Sequence, residues 1–395
     1  MSCWEGLGGA GWGPILQGMT EDALRLAMVT ADLRPGCSGV GDYSLSLAQA
    51  LKAQGQEVRL LSLAAEGEAE RPLDLACSAD QAWHRRTAAL KTCLAALEPD
   101  WVFLQLMPQL YHPRGWIGRI GPGLVRALEG HRLAVMVHEL HASVILGRDA
   151  ASAARRRRQA AASLALLERM QPEAVMTSNA LYRDRIASAG LPARVLPLFS
   201  HLPTGPEQPG AWLEEALRAA GLKMERERTA FLLAMGRLRA DWEPFETLAA
   251  LAAAARRRRR RPLLLVAGRT GMTAERLDFW RRRLPAMDFL DLGPQPARHL
   301  VQLLNLAQVL LTPTRYEVLG KSSIAAAALA QGVPVLPSEG DPAFGEPAPP
   351  GFEGLFLRPG SDPAALFERR PGSGPFRPQL EGVAARLLTL LRNSA

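Results

Sequence analysis

Short apolar runs alternate with segments of helical periodicity along almost the whole chain, and this alternation restricts the folds open to it. In the first half, apolar runs of strand length occupy residues 24–30, 58–63, 101–106, 133–138, 174–177 and 195–198. Helical patterns lie between them at residues 42–54, 81–97, 123–130, 151–170 and 180–189. Strands buried on both faces read as continuous apolar runs, and helices between consecutive strands make parallel connections. The first half is therefore predicted to form a parallel sheet that helices cover on both faces.

The second half repeats the alternation, which predicts a second doubly wound unit. Its strand-like runs occupy residues 231–235, 263–267, 289–292, 309–312, 333–336 and 355–357. The 395 residues exceed what one hydrophobic core usually holds. The Pro- and Gly-rich residues 203–210 between the halves are typical of an interdomain linker. The predicted fold class is α/β, with two Rossmann-like doubly wound domains.

These patterns also set the expected domain boundaries. We expect a flexible extension over residues 1–20, an N-terminal domain over 21–203 and a C-terminal domain over 211–377. The last segment, 378–395, places five apolar side chains at helical spacing: Leu380, Val383, Leu387, Leu390 and Leu391. This spacing predicts an amphipathic helix that packs across the molecule.

The composition argues against several classes of protein. Hydrophobic residues make up 48% of the chain and charged residues 22%, which is typical of a folded protein. No apolar run approaches the roughly 20 residues of a membrane span, and the N-terminus lacks the pattern of a secretory signal. The 4 cysteines show neither a Cys-x-x-Cys pair nor metal-type spacing with histidine, which indicates reduced thiols. We expect a cytoplasmic protein.

The net charge of +8 is concentrated in two arginine runs. Residues 256–261 follow an Ala-rich helix, where cations suit the helix dipole, so a solvated helix end is the favoured interpretation. The other run consists of Arg155, Arg156, Arg157 and Arg158. It is either a solvated helix face or a peripheral contact with an anionic membrane. No aromatic residues interleave with either run, which argues against binding of nucleic acid.

A loop with the chemistry of a phosphate site follows the apolar run at 309–312. Gly320 permits close approach of the backbone, Lys321 adds a positive charge, and Ser322 can cap a helix whose free N–H groups face an anion. Glu317 precedes the loop and could accept a sugar or ribose hydroxyl. The alternative is an ordinary capped helix in a parallel sheet, with Glu317 on the surface.

Gly39 and Gly41 lie in a second loop of this kind, between the first strand and its helix. The loop could bring backbone N–H groups against a phosphate. It does not carry the dinucleotide fingerprint, because Ser44 stands where that motif has its third glycine. A dehydrogenase is therefore disfavoured. A tight turn without a ligand remains the alternative.

His138 ends a buried strand, where a polar side chain facing a ligand would be placed. His138, Glu139 and His141 suggest a metal site, yet the third ligand and the helix of a zinc protease motif are missing. A buried, hydrogen-bonded histidine is the alternative for His138. In the second half, Arg237 follows a strand and could bind a diphosphate with its planar guanidinium, and Arg269 is a rival for that role.

Taken in order, these segments resemble a glycosyltransferase of family 4, and the resemblance extends over nearly the whole chain from about Leu24. The matching segments are Gly39-Val40-Gly41-Asp42-Tyr43, His138, Thr177-Ser178-Asn179, Gly236-Arg237-Leu238, Val266-Ala267-Gly268, Tyr316-Glu317-Val318-Leu319-Gly320 and Gly332-Val333-Pro334-Val335. Residues 136–140 together with 196–199 are similar to a bacterial subgroup associated with surface-polysaccharide assembly. The resemblance implies the GT-B fold, two facing Rossmann-like domains with a central cleft.

The resemblance also implies an activity: transfer of a sugar from a nucleoside diphosphate sugar to a glycan or lipid-linked acceptor, with retention of configuration and without a metal or other cofactor. His138 would contact the donor sugar near the reacting carbon, and Glu317 would hold a donor hydroxyl. The residues that would bind the donor and its diphosphate are Gly39, Gly41, Gly236, Arg237, Gly320, Lys321 and Ser322. Positive charge would then face the diphosphate that leaves.

Two positions depart from the family pattern. The second glutamate of its Glu-x7-Glu motif falls on Ala325, and no lysine follows Arg237, since Trp242 and Glu243 occupy that region. Lys321 could restore the missing charge from the other side of the loop. A catalytically inactive binding or partner subunit with the GT-B fold is therefore the alternative function.

Overall fold

The computed structural model describes residues 23–34, 38–65, 73–112, 114–141, 150–338, 354–358, 360–361, 366–367 and 379–394. The chain forms two compact units. The N-terminal unit ends at Leu198 and also contains the last helix, whereas the C-terminal unit comprises Phe199–Gln379. Among the described residues, no helix is both long and apolar enough to cross a membrane.

The N-terminal unit is built on a seven-stranded parallel sheet. Its strands are β1 (Arg25–Thr30), β2 (Glu57–Ala65), β3 (Leu75–Ser78), β4 (Trp101–Leu106), β5 (Leu133–Val137), β6 (Ala174–Thr177) and β7 (Ala193–Val195). Their order is β3-β2-β1-β4-β5-β6-β7, and all pairs are parallel. The strand order therefore reverses next to β1, between β1 and β4, which is where doubly wound sheets bind ligands.

Helices cover both faces of this sheet. They are α1 (Gly39–Ala53), α2 (Trp83–Leu97), α3 (Pro108–Tyr111), α4 (Gly121–Leu128), α5 (Ala150–Met170) and α6 (Ala180–Ala187), with a 3₁₀ helix at Ile117–Arg119. Val29 and Leu104 point into one apolar core, which α2, α4 and α5 share. Met28 and Phe103 alternate with them along the strands and are equally buried on the other face.

The C-terminal unit contains a five-stranded parallel sheet. Its strands are β8 (Thr229–Met235), β9 (Arg261–Ala267), β10 (Asp288–Asp291), β11 (Val309–Arg315) and β12 (Val335–Ser338), in the order β10-β9-β8-β11-β12. Its helices are α7 (Ala211–Ala219), α8 (Phe245–Arg257), α9 (Ala274–Arg283), α10 (Ala297–Leu306) and α11 (Ser323–Ala330), with a 3₁₀ helix at Tyr316–Lys321. Leu233 and Leu265 belong to one core, and Leu232 and Leu264 to the other. The predicted α/β fold class with two doubly wound units is confirmed.

Several strand boundaries differ from those predicted. β3 was not predicted, because its four residues, Leu75–Ser78, carry too short an apolar pattern. β7 ends at Val195 instead of continuing to residue 198, since Pro197 has no amide to donate to the ladder. β12 begins at Val335 and not at 333, after the left-handed Gly332 (φ 71°). The run at 355–357 contributes one isolated bridge, from Phe356 to Val335.

The Pro- and Gly-rich residues 203–210 are attached to the C-terminal unit. Gln331 donates from Nε2 to the Pro203 carbonyl (2.6 Å) and accepts from the Gly205 amide (3.3 Å). Asn305 donates to the Gly205 carbonyl (2.8 Å). The segment is therefore fixed by side chains of α10 and of the residue that follows α11.

The final helix, α12 (Leu380–Arg392), packs on the N-terminal unit beside α1. It buries the apolar face that the sequence predicts, including Val383, Leu387 and Leu391. Gln54, which follows α1, donates to the Glu381 carbonyl (3.0 Å). The chain thus returns to its first unit after completing the second.

The two arginine runs differ in their surroundings. Residues 256–261 span the end of α8 and the start of β9, and Arg260 donates to the carbonyls of Glu227 and Arg226 (3.2 and 3.3 Å). The helix-end interpretation of that run is confirmed. In α5, Arg155, Arg157 and Arg158 are exposed, whereas Arg156 is half-buried.

Candidate active site

Glycines with positive φ stand at the carboxyl ends of three neighbouring strands of the C-terminal sheet. They are Gly236 after β8 (φ 75°), Gly268 after β9 (φ 100°) and Gly293 after β10 (φ 61°). The Gly236 amide donates to the Ala267 carbonyl (3.1 Å), and the Gly268 amide donates to the Gly293 carbonyl (2.7 Å). The three turns thus form one continuous backbone surface at the edge where parallel sheets bind ligands.

Gly236 lies against the Ile324 side chain at the start of α11, so a side chain fits there only if Ile324 moves. A Cβ atom placed on Gly236 would overlap Cδ1 of Ile324. A Cβ atom on Gly268 would lie 3.3 Å from the Gly236 nitrogen. The two turns therefore pack together through backbone, and the Ile324 side chain at the start of α11 lies against Gly236. Backbone free of side chains at such turns is what a loop cradling a phosphate needs.

The N-terminus of α11 is capped as predicted for Ser322. Its hydroxyl accepts from the Ala325 amide (3.2 Å), and its carbonyl accepts from the Ala326 amide (2.9 Å). The amides that open a helix have no acceptor within it, so those of Ser323 and Ile324 are the donors available to an anion.

The segment predicted as a loop around Gly320 and Lys321 is instead the 3₁₀ helix Tyr316–Lys321, which is kinked at Val318. Tyr316 and Leu319 are three residues apart and both are buried, so one apolar face fixes the tight helical turns. Gly320 and Lys321 are half-buried at its end, directly before the Ser322 cap.

Glu317 is buried in this 3₁₀ helix, with 8% of its surface exposed. The alternative that placed it on the surface is therefore wrong. Arg315 donates from its Nη2 to Oε1 of Glu317 (2.6 Å), whereas its Nε lies 3.4 Å from Oε2. The first contact is strong and the second weak, so Oε2 retains capacity to accept a hydrogen bond from a ligand hydroxyl.

Arg237 and Arg269 each follow one of the positive-φ glycines and are both exposed. Neither forms an ion pair with any residue that the structure describes. Because β8 and β9 are adjacent, the two residues stand at the same carboxyl edge of the sheet. Both remain candidates for binding a diphosphate.

A cavity of about 160 Å³ lies at this edge. Its lining comprises His201, Leu202, Met235, Gly236, Ala267, Gly268, Leu300, Ser323, Ile324 and Ala327. Most of the wall is aliphatic, so the cavity suits an uncharged ring more than a phosphate. The rim, by contrast, carries the opening amides of α11.

His201 is the polar side chain of this cavity that the sequence did not reveal. Its ring packs edge-on against Phe199, with the centroids 5.4 Å apart. Its Nδ1 is buried and has no hydrogen-bond partner within the described part of the chain. Burial lowers the pKa of His201 to about 4, so the ring is neutral at pH 7. The residue lies in irregular backbone outside any helix or strand pattern, and therefore carried no sequence signal.

Ala325, which stands where the pattern that the sequence resembles has its second glutamate, is 2% exposed and belongs to the C-terminal core. Trp242, in the region where the resemblance expects a lysine, is also buried and contacts Trp280 edge-on. Packed apolar side chains thus occupy both positions at which the sequence departs from the pattern that it resembles.

In the N-terminal unit, Gly39 and Gly41 open α1 after the first strand. Ser38 caps the helix by accepting from the Gly41 amide (2.9 Å). A Cβ atom on Gly41 would lie only 2.7 Å from the Asp32 carbonyl oxygen, whereas one on Gly39 would meet nothing within 4 Å. Packing alone therefore requires glycine at 41, while Gly39 has open space beside it. Residues 35–37 of this loop lie outside the described residues.

His138 follows β5 and is buried, with 7% of its surface exposed. Its Nε2 lies 2.9 Å from Oε1 of Gln105 on β4. The Tyr43 ring packs edge-on against it at 5.1 Å, so α1 and β5 meet at this histidine. Burial lowers the pKa of His138 to about 4, against the opposing effect of the Glu139 carboxylate. The imidazole is therefore neutral at pH 7.

The contacts around His138 do not support a metal site formed by His138, Glu139 and His141. Glu139 accepts from Nε2 of Gln109 (3.1 Å). Among the described residues, no group of three or more His, Cys, Asp or Glu side chains could hold a metal ion. The predicted site residues thus fall into two groups. His138, Gly39 and Gly41 belong to the N-terminal unit, and the others lie at the carboxyl edge of the C-terminal sheet.

No protein-family profile matches the chain, and no curated protein matches it significantly in sequence. Several solved structures are similar to it. HepE from Anabaena, in complex with UDP and glucose, has a TM-score of 0.53 and 12% identity, over 94% of this chain and 98% of that one. The lipopolysaccharide outer core galactosyltransferase WaaB, in its apo form, has a TM-score of 0.51 and 13% identity, over 93% and 98%.

A putative UDP-N-acetylglucosamine 2-epimerase from Listeria monocytogenes has a TM-score of 0.50 and 11% identity, over 94% of this chain and 96% of that one. At such low identities these similarities show the fold alone. The chain has the two Rossmann-like units of the GT-B fold, as its sequence predicts.

Proposed function

We propose that the protein is a retaining, metal-independent glycosyltransferase that moves a sugar from a nucleoside diphosphate sugar to a glycan or lipid-linked acceptor. One observation carries this proposal: the carboxyl edge of the C-terminal sheet combines the Gly236 and Gly268 turns, the capped N-terminus of α11 and the buried carboxylate of Glu317. The GT-B fold supports it, because HepE, which shares the fold, is in complex with UDP and glucose.

The carboxyl edge of the C-terminal sheet would supply the positive groups that face the donor's phosphates. The opening amides of α11, together with Arg237 or Arg269 and with Lys321, would stabilise the negative charge that develops on the leaving diphosphate. Gly236, Gly320 and Ser322 allow the backbone to approach it. No metal is needed in this scheme, because amides and cations supply the positive potential.

The acidic side chain of Glu317 and the neutral side chain of His138 would contact the sugar. Glu317 would accept a donor hydroxyl through the carboxylate oxygen that Arg315 leaves available. His138, neutral at pH 7, would contact the donor sugar near the reacting carbon. In the same N-terminal unit, Gly39 and Gly41 would let the backbone approach the diphosphate or the acceptor. Family 4 and its surface-polysaccharide subgroup stay part of this proposal, as does a cytoplasmic location.

The alternative is a catalytically inactive member of the fold that serves as a binding or partner subunit. Ala325 favours it, because a packed alanine stands where the family's ribose-binding glutamate is expected. Both functions predict that a nucleoside diphosphate binds, but only the glycosyltransferase releases it from a nucleotide sugar.

The test begins with binding. UDP, GDP and ADP are titrated calorimetrically into the full chain with EDTA present, and unfolding is followed with each nucleotide. We expect UDP or GDP to bind more tightly than ADP, and a ligand at 100 times its Kd to stabilise the fold by about 2.7 kcal/mol. Arg237→Gln and Arg269→Gln should weaken binding unequally, whereas the exposed helical control Arg282→Gln should not change it. If no diphosphate shifts unfolding at millimolar concentration, the site assignment is wrong.

Turnover is then measured as nucleoside diphosphate released from UDP-glucose, UDP-galactose, UDP-N-acetylglucosamine and GDP-mannose, with retention judged from the anomer produced. Binding without any release would favour the inactive alternative. Release of a sugar with inverted configuration would overturn the retaining mechanism.

A further inference from the structure

The hydrogen bond between Gln105 and His138 gives Gln105 a possible role beside that proposed for His138. Gln105 lies on β4 and pairs with Met136 of β5. Residues two apart on a strand share a face, so the side chains of Gln105 and His138 project to the same side of the sheet. The Gln105 side chain is fully buried, and its Oε1 is 2.9 Å from Nε2 of His138.

Packing alone does not explain a glutamine at this position. Its Nε2 has no hydrogen-bond partner within the described residues, and neither has Oγ1 of Thr30, which lies on the adjacent strand β1. Leaving buried polar groups unpaired is destabilising. The nearby strand residues Met28 and Phe103 on the same face are apolar, and an aliphatic side chain at 105 would avoid this loss. The interaction that distinguishes glutamine from leucine here is the one with His138.

With the Gln105 amide oriented as in the structure, Oε1 faces the ring. A carbonyl oxygen can only accept, so in this arrangement Nε2 of His138 is the N–H donor. A neutral imidazole then has its lone pair on Nδ1, which can accept a hydrogen bond from a hydroxyl. We propose that Gln105 is a positioning residue that holds His138 in this tautomer, so that Nδ1 accepts a hydroxyl of the sugar substrate. The proposal rests on the proposed function, because that function gives His138 its role.

Tyr43 of α1 packs edge-on against the imidazole, and the Tyr111 hydroxyl donates to the main-chain carbonyl of Gln105 (2.8 Å), which anchors the strand at that residue. Within the part of the chain that the structure describes, the groups that interact with His138 include Glu139 from its own loop, Tyr43 from α1 and Gln105 from β4. Burial raises the pKa of Tyr43, so the phenol is neutral, and Glu139 is the charged group among these.

Protonation would place a second proton on Nδ1 and remove the acceptor. Burial opposes that protonation and lowers the pKa of His138 to about 4. In the wild type, turnover should therefore not fall through titration of His138 until the pH approaches 4. A carboxylate in place of the Gln105 amide should reverse this, because it accepts from Nε2 equally well but stabilises the imidazolium.

The test uses the full chain and two readouts. Imidazole ¹⁵N spectra give the tautomer and titration of His138, assigned by the signal that His138→Gln removes. Release of UDP from UDP-glucose, or from whichever donor proves active, gives turnover against pH. The variants are Gln105→Glu, Gln105→Leu and, as control, Tyr111→Phe, which alters a hydrogen bond to the same residue without contacting the imidazole.

We expect the wild type and Tyr111→Phe to show the Nε2–H tautomer. Gln105→Glu should raise the pKa of His138, so that turnover is lost as the pH falls through the raised value. Gln105→Leu should lower turnover by about tenfold, the effect of misplacing one hydrogen bond, with little change in affinity for UDP.

Three results would overturn the inference, and a fourth would place the failure in the proposed function. An Nδ1–H tautomer in the wild type overturns it, whether or not the Gln105 variants fold. A His138 titration that Gln105→Glu leaves unmoved overturns it as well. If the spectra respond as expected while turnover of every variant stays that of the wild type, positioning for catalysis is refuted. If the spectra respond but the wild type turns over no nucleotide sugar, the proposed function fails and the Gln105–His138 arrangement stands.

Discussion

Replacing Gly236 by alanine tests the close approach of the β8 turn to α11, and its effect has two parts. The left-handed conformation (φ 75°) is unfavourable for alanine by about 1–2 kcal/mol. The added methyl overlaps Cδ1 of Ile324, and displacing this half-buried side chain from its packing costs about 1–3 kcal/mol more. We expect a total loss of about 2–5 kcal/mol, or roughly 4–20 °C in Tm for a unit of this size.

Two further variants separate the parts. Gly221 has nearly the same φ (72°) but open space around it, so Gly221→Ala should lose only about 1–2 kcal/mol. Ile324→Val removes Cδ1 itself. The double variant Gly236→Ala/Ile324→Val should therefore recover most of the packing part, with a coupling energy of about 1–3 kcal/mol.

The assay is urea and thermal unfolding of the full chain, with UDP affinity measured on the same samples. Equal losses for Gly236→Ala and Gly221→Ala would refute the close approach. So would strictly additive effects of Gly236→Ala and Ile324→Val. We also expect Gly236→Ala to weaken UDP binding, since it displaces the helix N-terminus that faces the phosphates.

The remaining predictions concern charge. Glu317→Gln should lower turnover about tenfold, equivalent to roughly 1.4 kcal/mol of transition-state stabilisation, with a smaller effect on UDP affinity; equal effects on both would make Glu317 a simple binding residue. Ala325→Glu should tighten UDP binding by supplying a partner for the ribose diol, while overpacking and desolvation cost several kcal/mol of stability. A folded variant with unchanged or weaker affinity would mean that the ribose is bound elsewhere. Replacing the exposed arginines of 155–158 by Gln should reduce sedimentation with anionic vesicles at low salt, since each cation near the surface contributes about 1 kcal/mol. The same change at residues 281–283 is the control. If it lowers sedimentation with the vesicles equally, the 155–158 run is only a solvated helix face.

The sequence predicts the sheets well because their strands are buried on both faces. Runs such as Trp101–Leu106 contain residues that pack on opposite sides of the sheet, so the run is almost wholly apolar. It can therefore be recognised from its own sequence, without knowing which strands lie beside it. β3 lies at the edge of its sheet and has only one strand to pair with. Its burial alternates, so the apolar signal is too weak to detect.

Site residues are predictable only where local backbone chemistry constrains them. Ser322 caps α11 through contacts within three residues, and the motif around it shows this. Gln105 and His138 are 33 residues apart, and their contact depends on the register of β4 against β5. His201 acquires its environment from β8, β9 and α11. No spacing in the chain encodes such long-range neighbours.

The position of α12 has a consequence for how the protein is made. Its apolar face covers α1, yet about 180 residues of the C-terminal unit separate it from the end of the first unit. During synthesis at about 5–20 residues per second, the N-terminal unit would wait roughly 10–40 s for its last helix. For that time the surface of α1 that α12 covers is open to solvent. The first unit to leave the ribosome is thus completed only after the whole C-terminal unit has been made.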